Sequence, residues 1–376
     1  MKNKLFQTGK KFDPLLFYSV ISLALIGLVM VLSSSSYLGS ISYNDSFYFF
    51  KRQSVFFLIG LLIMFLVSKI NYKAYNNQEF ILLMGAVVVI FLFMLFTPMG
   101  KTVNNATRWL QIGPFPRFSP SELAKIYLVF FYAWWINKNF SYFTSLKGFL
   151  LSFIPMLLVF TLIINQPDLS TAGIIVIVTL ITYFQAGAKM RHVLSLIGLG
   201  ILSAWYFVVS SEYRMNRITS VWRPFENQLD EGYQVVKSLF ALGSGGFWGL
   251  GIGNSRQKYL HLPERHTDFI FSIMGEEIGF IGLIFVLFLF SMVFWRGYYI
   301  AIKADTFFGK ILALGITNML LVQTSINILV AAGLFPTTGI TLPLISYGGT
   351  SLVITMAAIG VLLNISSNME KNPRKN

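Results

Sequence analysis

The chain contains no cysteine, three histidines and only fifteen aspartates and glutamates in 376 residues. Without cysteine there can be no disulfide and no thiolate metal site, and the redox compartment cannot be read. Charge is scarce as well: 12% of residues are Asp, Glu, Lys or Arg, about half the roughly 25% of a soluble domain. Neither a Gly-x-x-x-x-Gly-Lys-Ser/Thr phosphate loop nor a His-Glu-x-x-His zinc motif occurs, so ATP-driven transport and zinc hydrolysis lack their usual signatures.

What is present is apolar. Hydrophobic residues make up 55% of the chain and the mean hydropathy is +0.67, which predicts an integral membrane protein. Windows of about 20 apolar residues suffice to cross a bilayer core. They fall near 15–35, 54–71, 80–99, 120–137, 148–165, 170–187, 193–211, 269–295, 309–331 and 350–366. The expected fold is an all-α, ten-span single membrane domain covering 1–376, with a large extracytoplasmic loop at 212–268 between spans 7 and 8. The first apolar run is too long for a signal-peptide core and lacks an Ala-x-Ala cleavage pattern, so it should remain as an anchor.

Ten spans put both termini on one side. That side carries sixteen Lys and Arg against four Asp and Glu, a net +12, and the positive-inside tendency makes it cytoplasmic. Lysines at the ends of apolar segments thus explain the formal +14 without a nucleic-acid partner. Polar material concentrates on the other face, in 100–119, 166–169, 212–268 and 333–349. Within the long loop, residues 241–253 carry six glycines interleaved with Phe247, Trp248 and Leu250. Such glycines permit close backbone approach and anion-binding amides; a flexible linker is the plainer reading. The aromatic residues point to a segment at the membrane surface.

Residues 260–277, Leu-His-Leu-Pro-Glu-Arg-His-Thr-Asp-Phe-Ile-Phe-Ser-Ile-Met-Gly-Glu-Glu, gather two of the three histidines and four of the fifteen acids where a polar loop meets an apolar helix. Ionisable groups at a membrane boundary are expensive unless they function. Read in order along the chain, Arg108-Trp109-Leu110, Pro120-Ser121-Glu122-Leu123-Ala124-Lys125, Gln166-Pro167-Asp168-Leu169-Ser170-Thr171, the Gly-rich stretch, LPERHTDFIFSIMGEEIGFIG and GLFPTTGITLPLISYGGTS resemble the SEDS family (shape, elongation, division and sporulation) across residues 13–366. LPLISYGGTS and IMGEEIGFIG look more like the division type, FtsW, than the elongation type, RodA; a sporulation-type relative would read almost the same. Ser119 stands where the family commonly has Gln.

The resemblance implies a ten-span peptidoglycan glycosyltransferase that polymerises lipid II outside the cytoplasmic membrane, working with a class B penicillin-binding protein transpeptidase among divisome or elongasome proteins. Joining an anomeric carbon to a 4-hydroxyl with loss of polyprenyl pyrophosphate requires a base for the hydroxyl and cations for the leaving group. Because pyrophosphate already leaves readily, the acid–base pair of a glycosidase is not needed. Asp268 is the candidate base: the following Phe269-Ile270-Phe271 should desolvate it and raise its pKa, with Arg265 or His266 opposing. An ordinary helix N-cap is the alternative.

Arg108, Lys125, Arg214, Arg217, Arg223, Lys258 and Arg265 are candidate phosphate contacts, Arg108 and Lys125 foremost, with interfacial anchoring as the plainer role. Glu122, His266, Glu277, Ser346 and Tyr347 complete the candidate substrate site, and Asp168 can bind sugar or cap a helix. Glu276 and Glu277 sit about 12–13.5 Å along the helix from Asp268, so at least one should pair with a base or face a polar cavity. Nothing in the spacing demands a cofactor, although a divalent cation is possible: Asp268 with Glu277 could hold Mg²⁺ or Mn²⁺ through oxygen. Two other classes remain open. A lipid II flippase would use the same spans and cations, and a non-enzymatic scaffold for the transpeptidase would need only apolar surface.

Overall fold

The structure is a computed structural model; it describes residues 12–103, 106–111, 113, 116–143, 145–210, 215, 219, 221, 223–226, 232–259 and 262–369. Helices dominate. In chain order they are α1 (Pro14–Tyr43), α2 (Tyr48–Lys69), α3 (Gln78–Met94), α4 (Pro120–Lys138), the short α5 (Phe140–Phe143) and α6 (Leu146–Leu151), α7 (Ile154–Ile164), α8 (Leu169–Gln185), α9 (Met190–Val209), α10 (Tyr233–Ser244), α11 (Ile270–Lys303), α12 (Phe307–Ala331) and α13 (Gly349–Ser367).

Helix falls on each apolar window read from the sequence. Six stretches, Pro14–Tyr43, Tyr48–Lys69, Leu146–Ile164, Ile270–Lys303, Phe307–Ala331 and Gly349–Ser367, are long and apolar enough to cross a membrane, and Gln78–Met94, Leu169–Gln185 and Met190–Ser203 are shorter apolar helices. Large apolar side chains on their outward faces, such as Leu58, Leu62, Phe65 and Leu66 on α2, are exposed. In water that would be costly, and in lipid it is not. The protein is a multi-pass membrane protein.

Two details depart from an all-helical chain with a loop at 212–268. Gly100–Val103 (β1) and Ala106–Leu110 (β2) form an antiparallel hairpin, extended by a bridge from Leu110 to Phe118. Short apolar-polar alternation around Arg108 favours a strand over a helix here. The C-terminal part of the long loop is not all irregular, since it contains α10, which packs on α11 and α12.

α12 forms the centre, packed against α4, α8 and α11, while α13 lies along α2 and α1 lies against α11 and α2. Close approach needs small residues: a Cβ on Gly360 of α13 would come within 2.6 Å of the Met64 carbonyl of α2. α11 is broken at Gly279, whose φ of 68° and ψ of −172° leave the helix. The Gly-rich segment fills the break. Leu250 and Gly251 donate to the Glu276 and Glu277 carbonyls, and Phe280 and Ile281 donate to Gly246 and Phe247. A backbone opened at depth is tolerated only when its partners are replaced in this way.

Candidate active site

One end of the bundle opens into a cavity of about 1040 Å³. The N-terminal ends of α2, α4, α8 and α13 and the chain entering α11 border it, through Arg52, Glu122, Thr171, Thr350 and Asp268. Helix N-termini carry partial positive charge and unsatisfied N–H groups, so their convergence favours anions. The cationic side chains on the wall add to this field.

Asp268 is held by its backbone, and among the described residues no group donates to its carboxyl. The Glu264 carbonyl accepts from the N–H groups of Thr267, Asp268 and Phe269 at 3.2, 3.0 and 3.1 Å, a tight turn that places Glu264 at φ 49°. From α12, Asn327 donates its amide to the carbonyls of Asp268 and Ile340, at 2.8 and 2.7 Å. Ser346 donates its hydroxyl to the Thr267 carbonyl, and the Tyr347 N–H donates to the His266 carbonyl. Segment 337–348 is thereby fastened to the loop that carries Asp268.

The N-cap of α11 is Phe269, and no side chain caps the helix. The capping role is therefore not what Asp268 does. Its carboxyl faces the cavity beside Gly339, where an added Cβ would strike Arg108 and stand 3.8 Å from Asp268 Oδ2. Burial, and secondarily Glu264, push the Asp268 carboxyl up to about 8; Arg108 pulls it down and Asp168 adds a smaller upward push. The opposing cation is thus Arg108, whereas the sequence suggested Arg265 or His266. His266 is pushed down to about 4, chiefly by burial, so it is neutral near pH 7, with its ring 4.8 Å from that of Phe49. Arg265 turns away from the cavity to the Ser34 and Leu262 carbonyls.

Arg108 projects from β2. Its Nη2 lies 3.4 Å from Asp168 Oδ1 and 3.4 Å from the Pro167 carbonyl, and its buried Nε has no partner among the described residues. Asp168 meanwhile caps α8, accepting from Thr171 N at 3.2 Å and Thr171 Oγ1 at 2.7 Å, so it serves as cap and as wall of the cavity. On α4, which begins with Pro120 as its first residue, Glu122 and Lys125 pair at 2.8 Å. Lys125 also donates to Gln323 of α12 at 2.7 Å. Tyr347 lines the cavity as well.

Asp268, Arg108, Lys125, Glu122, His266 and Tyr347 therefore come together on one wall system. Lys258, Arg265, Glu277 and Ser346 do not line it. Ser346 is spent on Leu342 N and the Thr267 carbonyl. Glu277 accepts from Ser33 Oγ at 2.6 and 2.7 Å and from Ser255 N at 3.2 Å, and pairs with buried Lys258 at 3.3 Å. Glu276 accepts from Arg256 N at 2.9 Å, Gln257 N at 3.3 Å and the Ser255 hydroxyl. These carboxylates are saturated, so the Asp268–Glu277 pair offered to Mg²⁺ or Mn²⁺ does not form a shared site. No cluster of three His, Asp or Glu side chains suited to a metal occurs among the described residues. Arg214 and Arg217 lie outside the described residues, and Arg223 pairs with exposed Glu226 at 3.3 Å away from the cavity lining.

Sequence reasoning missed Arg52, Arg117 and Gln323 on the wall. The available signal was a charge, Arg52, at the threshold of an otherwise apolar run.

A family model described as cell cycle protein, for FtsW, RodA and SpoVE, matches residues 13–371. The chain belongs to this SEDS family. Among its SEDS relatives, Stage V sporulation protein E of Bacillus subtilis is 40% identical over 96% of this chain and 98% of its own length. A probable peptidoglycan glycosyltransferase FtsW of Geobacter sp. (strain M18) is 37% identical over 95% and 97%. Among solved structures, the rod shape determining protein RodA of Thermus thermophilus aligns with a TM-score of 0.71 at 26% identity, covering 96% of this chain and 98% of that one. A chain described under structural coordination of polymerization and crosslinking by a peptidoglycan synthase complex aligns with a TM-score of 0.77 at 27% identity, over 94% and 97%.

Proposed function

We propose that this SEDS peptidoglycan glycosyltransferase polymerises lipid II with inversion, using Asp268 as general base, in a cavity on the outer face of the cytoplasmic membrane. This reading takes ten crossings with both termini cytoplasmic, which would put the cavity outside; the net +12 of the opposite side supports that orientation. The observation that carries the reading is the Asp268 carboxyl: uncapped, desolvated and pushed up to about 8 while facing a cationic cavity. A base works best when its pKa lies near the operating pH.

In the step itself, the Asp268 carboxylate takes the proton of the acceptor 4-hydroxyl as that oxygen bonds to the donor's anomeric carbon. The carbon–oxygen bond to the pyrophosphate breaks, and its electron pair leaves with the polyprenyl pyrophosphate. Arg108, with an unpartnered Nε, answers the charge that develops there. Lys125, already neutralised by Glu122, fixes the floor through Gln323.

A flippase gains no comparable support. Below Lys125 and Ile174 the void that continues between α4, α8 and α12 is about 10 Å³, room for about one water. A class B transpeptidase is the proposed partner, in keeping with the synthase complex that the fold resembles. The decisive experiment gives lipid II to the purified protein in complex with its transpeptidase. Glycan strands from wild type and none from Asp268→Asn support the proposal; equal strands from both remove Asp268 from catalysis. A reporter at 225–235 should score external, and one after Asn376 cytoplasmic.

A further inference from the structure

The cations of the cavity are of two kinds. Arg108 and Lys125 each have an acid at hand, Asp168 and Glu122. Arg52 and Arg117 line the same cavity, and neither forms an ion pair among the described residues. Arg52 donates to the Tyr48 hydroxyl at 2.6 Å and lies 5.3 Å from the centre of that ring. Both border the 346–350 segment of the cavity wall: Gln53, next to Arg52, donates to the Ser346 carbonyl at 3.1 Å, and the Arg117 carbonyl accepts from Thr350 Oγ1 at 3.3 Å. With no ion-pair partner among the described residues, both guanidinium groups keep their charge for an anion in the cavity.

The same cavity carries an aromatic wall of Tyr43, Tyr48, Phe49 and Tyr347. Tyr43 stacks on Tyr48 with ring centres 3.7 Å apart, and Phe49 meets His266 at 4.8 Å and Tyr347 at 5.1 Å. Such rings offer flat apolar faces to the C–H side of a pyranose.

The chemistry of the reaction separates the two diphosphates. In the donor, the pyrophosphate is on the carbon under attack, so it must lie beside Asp268, where Arg108 is. In the acceptor, the attacking 4-hydroxyl and the pyrophosphate are at opposite ends of a disaccharide, two pyranose rings apart. We propose that Arg52 and Arg117, with the Tyr43–Tyr48 wall, form a second diphosphate subsite that holds the acceptor's lipid-linked pyrophosphate while its sugars run along the aromatic rings to Asp268. This assignment rests on the glycosyltransferase reading. Arginine suits it because its fork binds phosphate oxygens bidentately.

The test uses the complex with its transpeptidase, a donor lipid II whose 4-hydroxyl is capped, and either of two acceptors: lipid II or the same disaccharide lipid carried on a monophosphate. Wild type should use the diphosphate acceptor with a KM lower by about tenfold or more, the worth of a charge-assisted contact. In Arg52→Gln/Arg117→Gln that preference should shrink towards unity, while the donor KM and the pH midpoint stay in place. An undiminished preference, or a rise in donor KM instead, overturns the subsite. Should the double variant fail to assemble, Arg52→Lys and Arg117→Lys keep the charge and lose the fork, and each should give part of the same loss; no loss in either overturns it too. If wild type makes no glycan from any acceptor, the glycosyltransferase reading falls. Inorganic pyrophosphate then probes the subsite alone: equal binding by wild type and the Gln variants overturns it, and weaker binding by the variants supports it while pointing to a free anion as the ligand.

Discussion

Asp268 and Glu277 stand nine residues apart in one continuous motif, yet the structure treats their carboxylates in opposite ways. Glu277 is buried to 1% exposure and surrounded by two serines and Lys258 that consume its oxygens. Asp268 has its backbone held by Asn327, Glu264 and the 337–348 segment while its carboxyl meets a cavity. A carboxylate whose partners are all supplied by the protein does structural work. One whose backbone is fastened and whose oxygens are left without donors is available for a substrate proton. The Glu276 and Glu277 carboxylates hold residues 255–258 while the Gly-rich segment fills the break at Gly279, which fixes the half-helix that follows Asp268.

The largest effect that can break this comparison is expected at Asp268. Asp268→Asn keeps the size of the side chain and costs no cap, because none exists. Polymerisation should drop by about 10²–10⁴-fold with the melting temperature and transpeptidase binding unchanged. A fall in melting temperature instead would return Asp268 to the structural class. Glu277→Ala should do the reverse. Leaving Lys258 buried and unpaired should cost about 3–5 kcal/mol, read as a lower melting temperature of the complex. Glu277→Ala with Lys258→Met should recover part of that loss, since the stranded charge is gone. If the double variant is as unstable as the single, the ion pair is not the source of the cost.

The membrane helices were legible because twenty apolar residues in lipid leave the backbone no other solution, and the place of Asp268 at the mouth of a helix was legible from the polar-to-apolar switch at Phe269-Ile270-Phe271, whereas its choice over an ordinary cap came from the motif around it. The hairpin at Gly100–Leu110 was not legible, since it is short and crossed by polar residues. Nor could the sequence separate Lys258, Arg265, Glu277 and Ser346 from the cavity. All four are polar residues in or near the same motifs, and only three-dimensional pairing shows that Lys258 faces Glu277 and Ser33 while Arg108 faces Asp168 and Gly339. Arg52 escaped for a different reason: the apolar window began just beyond it, which made it look like a span boundary.

A smaller effect is expected at Arg108, where Lys retains the charge and loses the fork. Arg108→Ala should lower kcat/KM by about 10–100-fold, the loss of one or two charge-assisted hydrogen bonds, and Arg108→Lys by less. Equal rates in all three proteins would place Arg108 with the lipid anchors.

The smallest effect is a shift of the pH profile, and it has a sign. A base must be unprotonated, so kcat/KM should rise with pH through a midpoint near the free-enzyme value for Asp268, about 8. Glu264 pushes that value up and Arg108 pulls it down. Glu264→Gln retains an oxygen to accept from Thr267 Oγ1, now at 2.8 Å, and removes the charge, so the rise should move to lower pH. Arg108→Gln removes the opposing cation, so the rise should move to higher pH. Opposite displacements from two substitutions on either side of one carboxyl are difficult to obtain from a general loss of packing. If both variants leave the midpoint where wild type has it, the group that titrates in catalysis is not Asp268, and the contrast with Glu277 loses its functional half.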